Sequence, residues 1–222
     1  MASYLTDQKG WTDVMNTQQI QDMFVVLAKE MMTHTDELCK LDSYIGDGDH
    51  GTTIERGFKA TLEAIEGKAF EKPAEVLKAT GDAIMNTTGG AIGPILGSFF
   101  RGGCKKLANA EAMDTAEFEI MFTSGLRQVK MIGEANEGDR TLVDALSPAA
   151  AAFSAAKEAG LSLGECLAKA ANAAEAGAQE TKNMIAKKGR AKFLGEKSLG
   201  YVDAGATSMS IIIRTLSNYV NQ

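Results

Sequence analysis

A chain of 222 residues, 45% of them hydrophobic, is long enough to bury a large core, and no Pro- or Ser-rich linker divides it, so one domain over residues 1–222 is expected. The formal net charge of -6 argues against nucleic acid or an anionic membrane surface as the main partner. Cys39, Cys104 and Cys166 are odd in number, widely spaced and in no Cys-x-x-Cys pattern, which suits reduced thiols in a cytoplasm.

The opening stretch, MASYLTDQKGW, has no basic start followed by an apolar run, so no secretory signal is expected. From Asn16 onward Ile20, Met23, Phe24, Leu27 and Met31 recur at helical spacing and predict one amphipathic helix to about Cys39, which delivers Asp42. His34 lies among polar residues of that helix and reads as a surface histidine.

Residues 42–58, DSYIGDGDHGTTIERGF, place Asp42, Asp47 and Asp49 in one glycine-rich loop with Gly46, Gly48 and Gly51. Like charges at contact distance repel by roughly 1 to 4 kcal/mol per pair, so the cluster calls for a cation, and hard oxygen ligands of this kind suit Mg²⁺ together with substrate phosphates. Thr52 and Glu55 then read as a capping box opening a helix with Ile54, Phe58, Leu62 and Ile65 on its apolar face. A helix N-terminus beside a metal loop makes a phosphate site. Two rival motifs fail: Gly46-x-Gly48-x-x-Gly51 follows no β-branched strand, and an EF-hand would need acid and glycine where Gly51 and Thr52 stand. A solvated acidic turn without ligand stays open on this stretch alone.

Pro73 starts the next predicted helix, with Val76, Leu77, Ile84 and Met85 behind it, and Gly89-Gly90 stops it. Another runs from Pro94 to about Leu107. The uncharged run 83–100 reaches membrane-span length, but its Asn, Thr, Gly and Pro residues mark a buried helix pair joined by a glycine turn. That turn is either a packing joint or a place where a flat or anionic ligand approaches backbone N–H groups. Asp114 caps a helix whose stripe is Phe118, Met121, Phe122, Leu126, Val129 and Ile132. Gly138-Asp139-Arg140-Thr141 turns the chain into Leu142, Val143, Leu146 and Phe153, with Pro148 near the start of an alanine-rich helix. Ser162 and Glu165 form a capping box for a helix predicted through Leu167, Ala170, Ala174, Thr181, Met184 and Ile185. Residues 189–206 form a long irregular stretch carrying Arg190, Lys192, Lys197, Asp203 and Gly205, read as a functional loop or a basic connector. A last helix spans about 207–219. The count is eight helices and no convincing strand, an all-α bundle. No Walker A, Gly-x-Ser-x-Gly, His-Glu-x-x-His or Cys/His metal spacing occurs.

Four blocks stand in order: Asp42 with Gly46-Asp47-Gly48-Asp49-His50-Gly51, then Gly89-Gly90-Ala91, then Gly138-Asp139-Arg140-Thr141 leading into Asp144, then Gly189-Arg190-Ala191 with Asp203-Ala204-Gly205. Together they resemble the ADP-binding subunits of the bacterial dihydroxyacetone kinases, the DhaL or Dak2-domain family, over nearly the whole chain. The resemblance implies an eight-helix antiparallel barrel with nucleotide at one end. It implies that Asp42, Asp47 and Asp49 hold two Mg²⁺ on the phosphates of ADP or ATP, and that His50, Gly51, Thr52 and Thr53 present the helix end. Gly90, Ala91, Ile92, Gly133, Leu142, Arg190, Asp203, Ala204 and Gly205 would surround the rest of the nucleotide. It further implies a separate ketose-binding kinase subunit, a phosphotransferase-system phosphocarrier or ATP as phosphate source, and a homodimer.

Neither His34 nor His50 has a neighbouring carboxylate that singles it out as a sugar-binding nucleophile, so the chain is expected to be half of an enzyme. Ile92 departs from the small hydroxyl residue common after Gly-Gly-Ala, leaving Thr87 or Thr88 to supply a hydroxyl, and Lys192, Tyr201 and Ala204 depart in the last block. The rival functions are a non-catalytic nucleotide-dependent regulatory partner, a kinase for another ketose such as erythrulose, and a two-metal phosphohydrolase.

Overall fold

Apolar residues at helical spacing carry each predicted helix into a shared core, and Ile20, Met23, Phe24, Leu27 and Met31 of the first are all buried. The computed structural model describes residues 13–222, so the stretch read for a secretory signal lies outside the described residues. The α-helices are α1 Thr17–Thr33, α2 Thr35–Ser43, α3 His50–Ile65, α4 Pro73–Thr87, α5 Ile92–Arg101, α6 Thr115–Gly133, α7 Val143–Glu158, α8 Leu163–Glu180 and α9 Ala204–Val220. Short 3₁₀ segments occupy Thr181–Asn183 and Arg190–Ser198, and the two-residue strands β1 Met15–Asn16 and β2 Ala112–Met113 pair antiparallel.

From α3 to α9 each helix packs on the next, and α1 closes the ring between α3 and α9. The eight-helix barrel is therefore present, with α2 as a ninth helix laid on α3 and α9. Inside the ring, edge-on and stacked rings run from Phe24 to Phe100 (5.6 Å), Phe99 and Phe122 to Phe153 (5.2 Å between the last two). No helix among the described residues is long and apolar enough to cross a membrane.

The single predicted first helix is in fact two. Thr33 Oγ1 donates to the Glu30 carbonyl (2.7 Å) and Thr35 Oγ1 to that of Met32 (2.9 Å), and His34 between them leaves helical geometry at φ -94, ψ 9. Hydroxyls that bond back to the preceding turn compete with the backbone ladder and bend it. His34 is also not without carboxylates: its ring nitrogens lie 3.3 Å from Glu30 and 2.8 Å from Glu37. They clamp the bend at the surface and do not face a cavity.

Other boundaries shift for local reasons. The α3 helix starts at His50, and Thr52 Oγ1 donates to the Asp49 carbonyl (2.9 Å), so the expected Thr52–Glu55 capping box is not formed. The α5 helix starts at Ile92, because a proline in the first turn lacks only an N–H that has no helical partner. It ends at Arg101, short of Leu107, and α8 ends at Glu180 rather than continuing to Ile185. The α9 helix starts at Ala204, capped by Asp203. Ile132 is 40% exposed, so the α6 stripe ends at Val129. Pro148 sits inside α7, and the Asp144 carbonyl it leaves unpaired is covered by Gly177 of α8, where a Cβ would come within 2.1 Å of that oxygen.

The α2 helix lies close against α3 because residue 51 has no side chain: a Cβ there would meet the Thr35 carbonyl at 1.9 Å and the Cys39 amide and sulfur at 2.8 Å. Gly51→Ala is expected to lower the thermal midpoint by about 4 °C or more, since overpacking costs about 1–3 kcal/mol. A circular-dichroism melt that leaves the midpoint unmoved would show that α2 is not held against α3 in this way.

Candidate functional site

Helices α3, α5, α7 and α9 begin at the end of the ring where α2, α4, α6 and α8 finish. Their first residues, including His50, Thr53, Ala91, Ile92, Leu142, Val143, Ala204 and Gly205, line a cavity of about 570 Å³. At the opposite end Asn16, Asp114 and Ser162 cap α1, α6 and α8 with their side chains. Ala91 supplies no such bond to α5, so the first N–H groups of that helix remain for a ligand at the cavity, whereas at α3 the His50 amide is taken by Asp42 and that of Thr53 by the Asp49 carbonyl.

The acidic loop forms one corner. Asp42, in the last turn of α2, accepts through Oδ2 from the amides of Asp49 (3.1 Å) and His50 (3.4 Å), while its carbonyl accepts from Gly46 N (2.6 Å). A Cβ at residue 46 would lie 2.1 Å from Asp42 Oδ1, so only glycine lets the loop close on this carboxylate. Asp42, Asp47 and Asp49 each bring an oxygen within 4.8 Å of the others. Three hard carboxylates at that separation fit a divalent cation such as Mg²⁺. Arg190 Nη2 reaches Asp47 Oδ2 at 2.7 Å.

At the end of the loop, His50 joins α3 to α9. Its Nε2 lies 3.2 Å from Ser208 Oγ, and Ser208 donates its hydrogen to the Gly205 carbonyl (2.9 Å), which leaves His50 Nε2 as the donor. Burial pushes the imidazole down to about 4 despite the opposing charge of Asp42, so it is neutral at pH 7.

The turn before α7 is held from several sides. Asp144 accepts from the amides of Gly138 (2.6 Å) and Thr141 (2.7 Å), and Asp139 accepts from Asn136 N (2.9 Å) and pairs with Lys187 (3.2 Å). The Asn136 amide in particular keeps Asp139 below the usual carboxylate range. Within this turn Arg140 adopts φ 62, a strained value for a side-chain-bearing residue, and is buried. It donates to the carbonyls of Thr181 (3.2 Å) and Tyr201 (2.6 Å). Asp203, whose amide donates to Thr181 Oγ1 (2.9 Å), accepts from Ala206 N (2.8 Å). Burial pushes its carboxyl up to about 6, against the pull of the Ala206 amide and Arg140.

Of the residues expected at the site, Asp42, Asp47, Asp49, His50, Thr53, Gly90, Ala91, Ile92, Gly133, Leu142, Arg190, Asp203, Ala204 and Gly205 line this one cavity. Gly51 and Thr52 do not: Gly51 faces α2 and Thr52 is turned to solvent. Nor does either threonine make good Ile92, since Thr87 and Thr88 donate to the Ala83 and Ile84 carbonyls of their own helix (both 2.6 Å). Arg56, Ile95, Val129, Arg140 and Lys188, none of them expected at the site from the sequence, also line the cavity. Ile95 and Val129 carry the same helical period as core residues, and Arg140 belongs to a block that marks the family resemblance without giving that side chain a contact.

Residues 44–218 match the DAK2 domain. The chain is 36% identical over 185 residues to the ADP-binding subunit DhaL of the PEP-dependent dihydroxyacetone kinase of Escherichia coli, covering 83% of this chain and 88% of that one. This chain belongs to the DAK2-domain family. It is also 34% identical to an ADP-binding DhaL subunit of Listeria innocua over 90% of this chain and 94% of that one, and 36% identical to the L-erythrulose kinase of Pectobacterium atrosepticum over 86% of this chain and 33% of that protein. The dihydroxyacetone kinase of C. freundii, solved in complex with AMP-PNP and Mg²⁺, superposes with a TM-score of 0.71 at 24% identity, over 98% of this chain and 36% of that one, and so shares the fold. The DAK2 match spans the whole cavity wall except Asp42.

Asp203 titrates near 6 in the folded chain against an ordinary 3.8. Between those values the folded chain holds a proton that the unfolded chain has lost, so this group's contribution to stability falls as pH rises from about 4 to about 7. Asp203→Asn removes that slope, and its thermal midpoint is expected to gain on wild type across this window. A constant difference between the two melting curves at pH 4, 5.5 and 7.5 would show that Asp203 titrates normally.

Proposed function

We propose that this chain is the nucleotide-binding subunit of a small-ketose kinase, active with a separate subunit that holds the sugar. The observation that carries the reading is the placement of three carboxylates within 4.8 Å of one another in a cavity whose wall is made of helix starts. Cation ligands and N–H donors side by side suit a metal-bound phosphate chain and neither a bare cation nor a bare anion.

Asp42, Asp47 and Asp49 would hold two Mg²⁺, and bound Mg²⁺ supplies neutralisation of charge on the phosphate oxygens. The first turn of α5 would donate to phosphate oxygens, and Arg190, paired with Asp47, would add positive charge beside the metal-bound phosphates. Ile92, Ile95, Val129 and Leu142 give the cavity an apolar side for the base. The terminal phosphoryl group passes to a hydroxyl oxygen of the ketose and ADP remains behind. His50 has its Nε2 bonded to Ser208 across to α9, which supports a second subunit for holding the sugar.

Tyr44 stacks on Tyr201 (5.1 Å), and with Phe193, which is 82% exposed, and Leu199 they leave apolar surface on and beside the 189–201 segment, suited to a docking partner. The reading includes a homodimer and a cytoplasmic location, in keeping with three free cysteines. Relatives named for dihydroxyacetone and for L-erythrulose match this chain equally at 36%, so either ketose fits the nucleotide half described here. The phosphate source is ATP exchange or a phosphocarrier, and sugar phosphate formed from free ATP without a phosphocarrier would mark the first.

Denaturing the purified protein and measuring released small molecules by mass spectrometry, with metal analysis, tests the site. Wild type is expected to release stoichiometric ADP with magnesium, and Asp47→Asn to release neither. A wild type that is empty and also fails to bind added Mg-ADP or Mg-ATP would refute the nucleotide site. In the system reconstituted with a ketose-binding subunit, Asp47→Ala is expected to cut sugar phosphorylation by about 100-fold or more, given the several kcal/mol that metal charge supplies. Unchanged turnover would overturn the metal role of Asp47, and abolished turnover rules out a purely regulatory role.

A further inference from the structure

Arg140 heads the largest fully buried side chains of the described residues, at 2% exposure. Its Nε and Nη2 donate to the Thr181 and Tyr201 carbonyls, but Nη1 finds no hydrogen-bond partner among the described residues. A buried charged donor left without an acceptor is costly, and native chains rarely tolerate it away from a ligand. Arg140 lines the cavity together with Asp203. Asp203 acts on Arg140 through space, without a hydrogen bond to Nη1, and its Oδ2 is engaged by the Ala206 amide.

The missing partner must satisfy both neighbours at once. A phosphate oxygen would accept from Nη1 but be repelled by the Asp203 carboxylate. A hydroxyl accepts from the guanidinium through its lone pair and donates its hydrogen to the carboxylate. On a nucleotide the hydroxyl groups are those of the ribose, while the phosphates belong with the acidic loop and the base with Ile95 and Val129. We propose that Arg140 and Asp203 together read a ribose hydroxyl of the bound nucleotide. The proposal rests on the nucleotide-site reading above and adds a residue and a chemical selectivity to it: a preference for ribonucleotides over deoxyribonucleotides. The alternative is that Arg140 only ties the Thr181 and Tyr201 carbonyls together.

Titration calorimetry of nucleotide-stripped protein at pH 8, with magnesium and ADP, 2′-deoxy-ADP or 3′-deoxy-ADP, separates the two. Wild type is expected to lose about tenfold in affinity for one of the deoxy analogues, the loss typical of a hydrogen bond to a charged group. In Arg140→Met the same analogue is expected to bind within about twofold of ADP, because the cationic donor is gone, and in Asp203→Asn, which keeps an uncharged oxygen acceptor, the penalty is expected to shrink by about half or more. Equal affinity of wild type for all three nucleotides overturns the proposal, as does a deoxy penalty that persists undiminished in a folded variant. If Arg140→Met does not fold, the wild-type series and Asp203→Asn decide. Failure of wild type to bind ADP at all would instead refute the nucleotide site itself.

Discussion

Three carboxylates whose oxygens come within 4.8 Å of one another set the conditions for everything around them. At an effective dielectric near 20, each close pair repels by about 4 kcal/mol, so the loop stays closed only because other groups offset the charge. Asp42 accepts two backbone amides, Arg190 pairs with Asp47, and the start of α3 turns its N–H groups toward the loop. Even so the corner carries three negative charges against one exposed guanidinium, and an exposed pair of that kind contributes at most about 1 kcal/mol. That excess negative charge is what a bound cation would offset.

The ring topology answers this charge. With an even number of antiparallel helices every second N-terminus comes to the same end, and each brings roughly half a positive charge. Four starts therefore stand around a cavity that also contains the aspartates. A cation alone would be drawn to the carboxylates and repelled by the helix ends, and a bare phosphate would meet the reverse. A metal and a phosphate chain together would satisfy the combination. The break at His34 serves the same geometry, since it frees α2 to lie across α3 and α9 and to carry Asp42 to the corner.

What could be read from the sequence was what depends on near neighbours. The acidic loop, the caps at Asp114 and Ser162, and the glycine stop at 89–90 are local, and the structure keeps each of them. The split of the first helix was hidden because the apolar period runs on through Leu38 while the break comes from the hydroxyls of Thr33 and Thr35 bonding back to the turn. Gly51 looked like part of the phosphate loop, and its purpose, room for the Thr35 carbonyl, belongs to the packing of two helices. Arg140 was invisible as a site residue for a related reason: its acceptors, Thr181 and Tyr201, are 41 and 61 residues away.

The 189–201 segment closes one side of the cavity with Gly189, Arg190 and Ala191. It turns at Gly189, Gly195 and Gly200, all at positive φ, and is fixed by the Gly200 amide on the Lys182 carbonyl (2.7 Å), Ser198 with the Ala186 amide (3.0 Å), Arg140 on the Tyr201 carbonyl (2.6 Å), the Tyr44–Tyr201 stack and the Arg190–Asp47 pair. Two of these five attachments, the stack and the ion pair, are made to residues of the acidic loop, so the order of the segment and the order of the acidic corner are linked. The cavity is thus walled by the barrel on one side and, on the other, by a segment whose order rises and falls with that of the acidic corner: neutralising the aspartates would remove the Arg190 attachment and leave the segment to its remaining contacts.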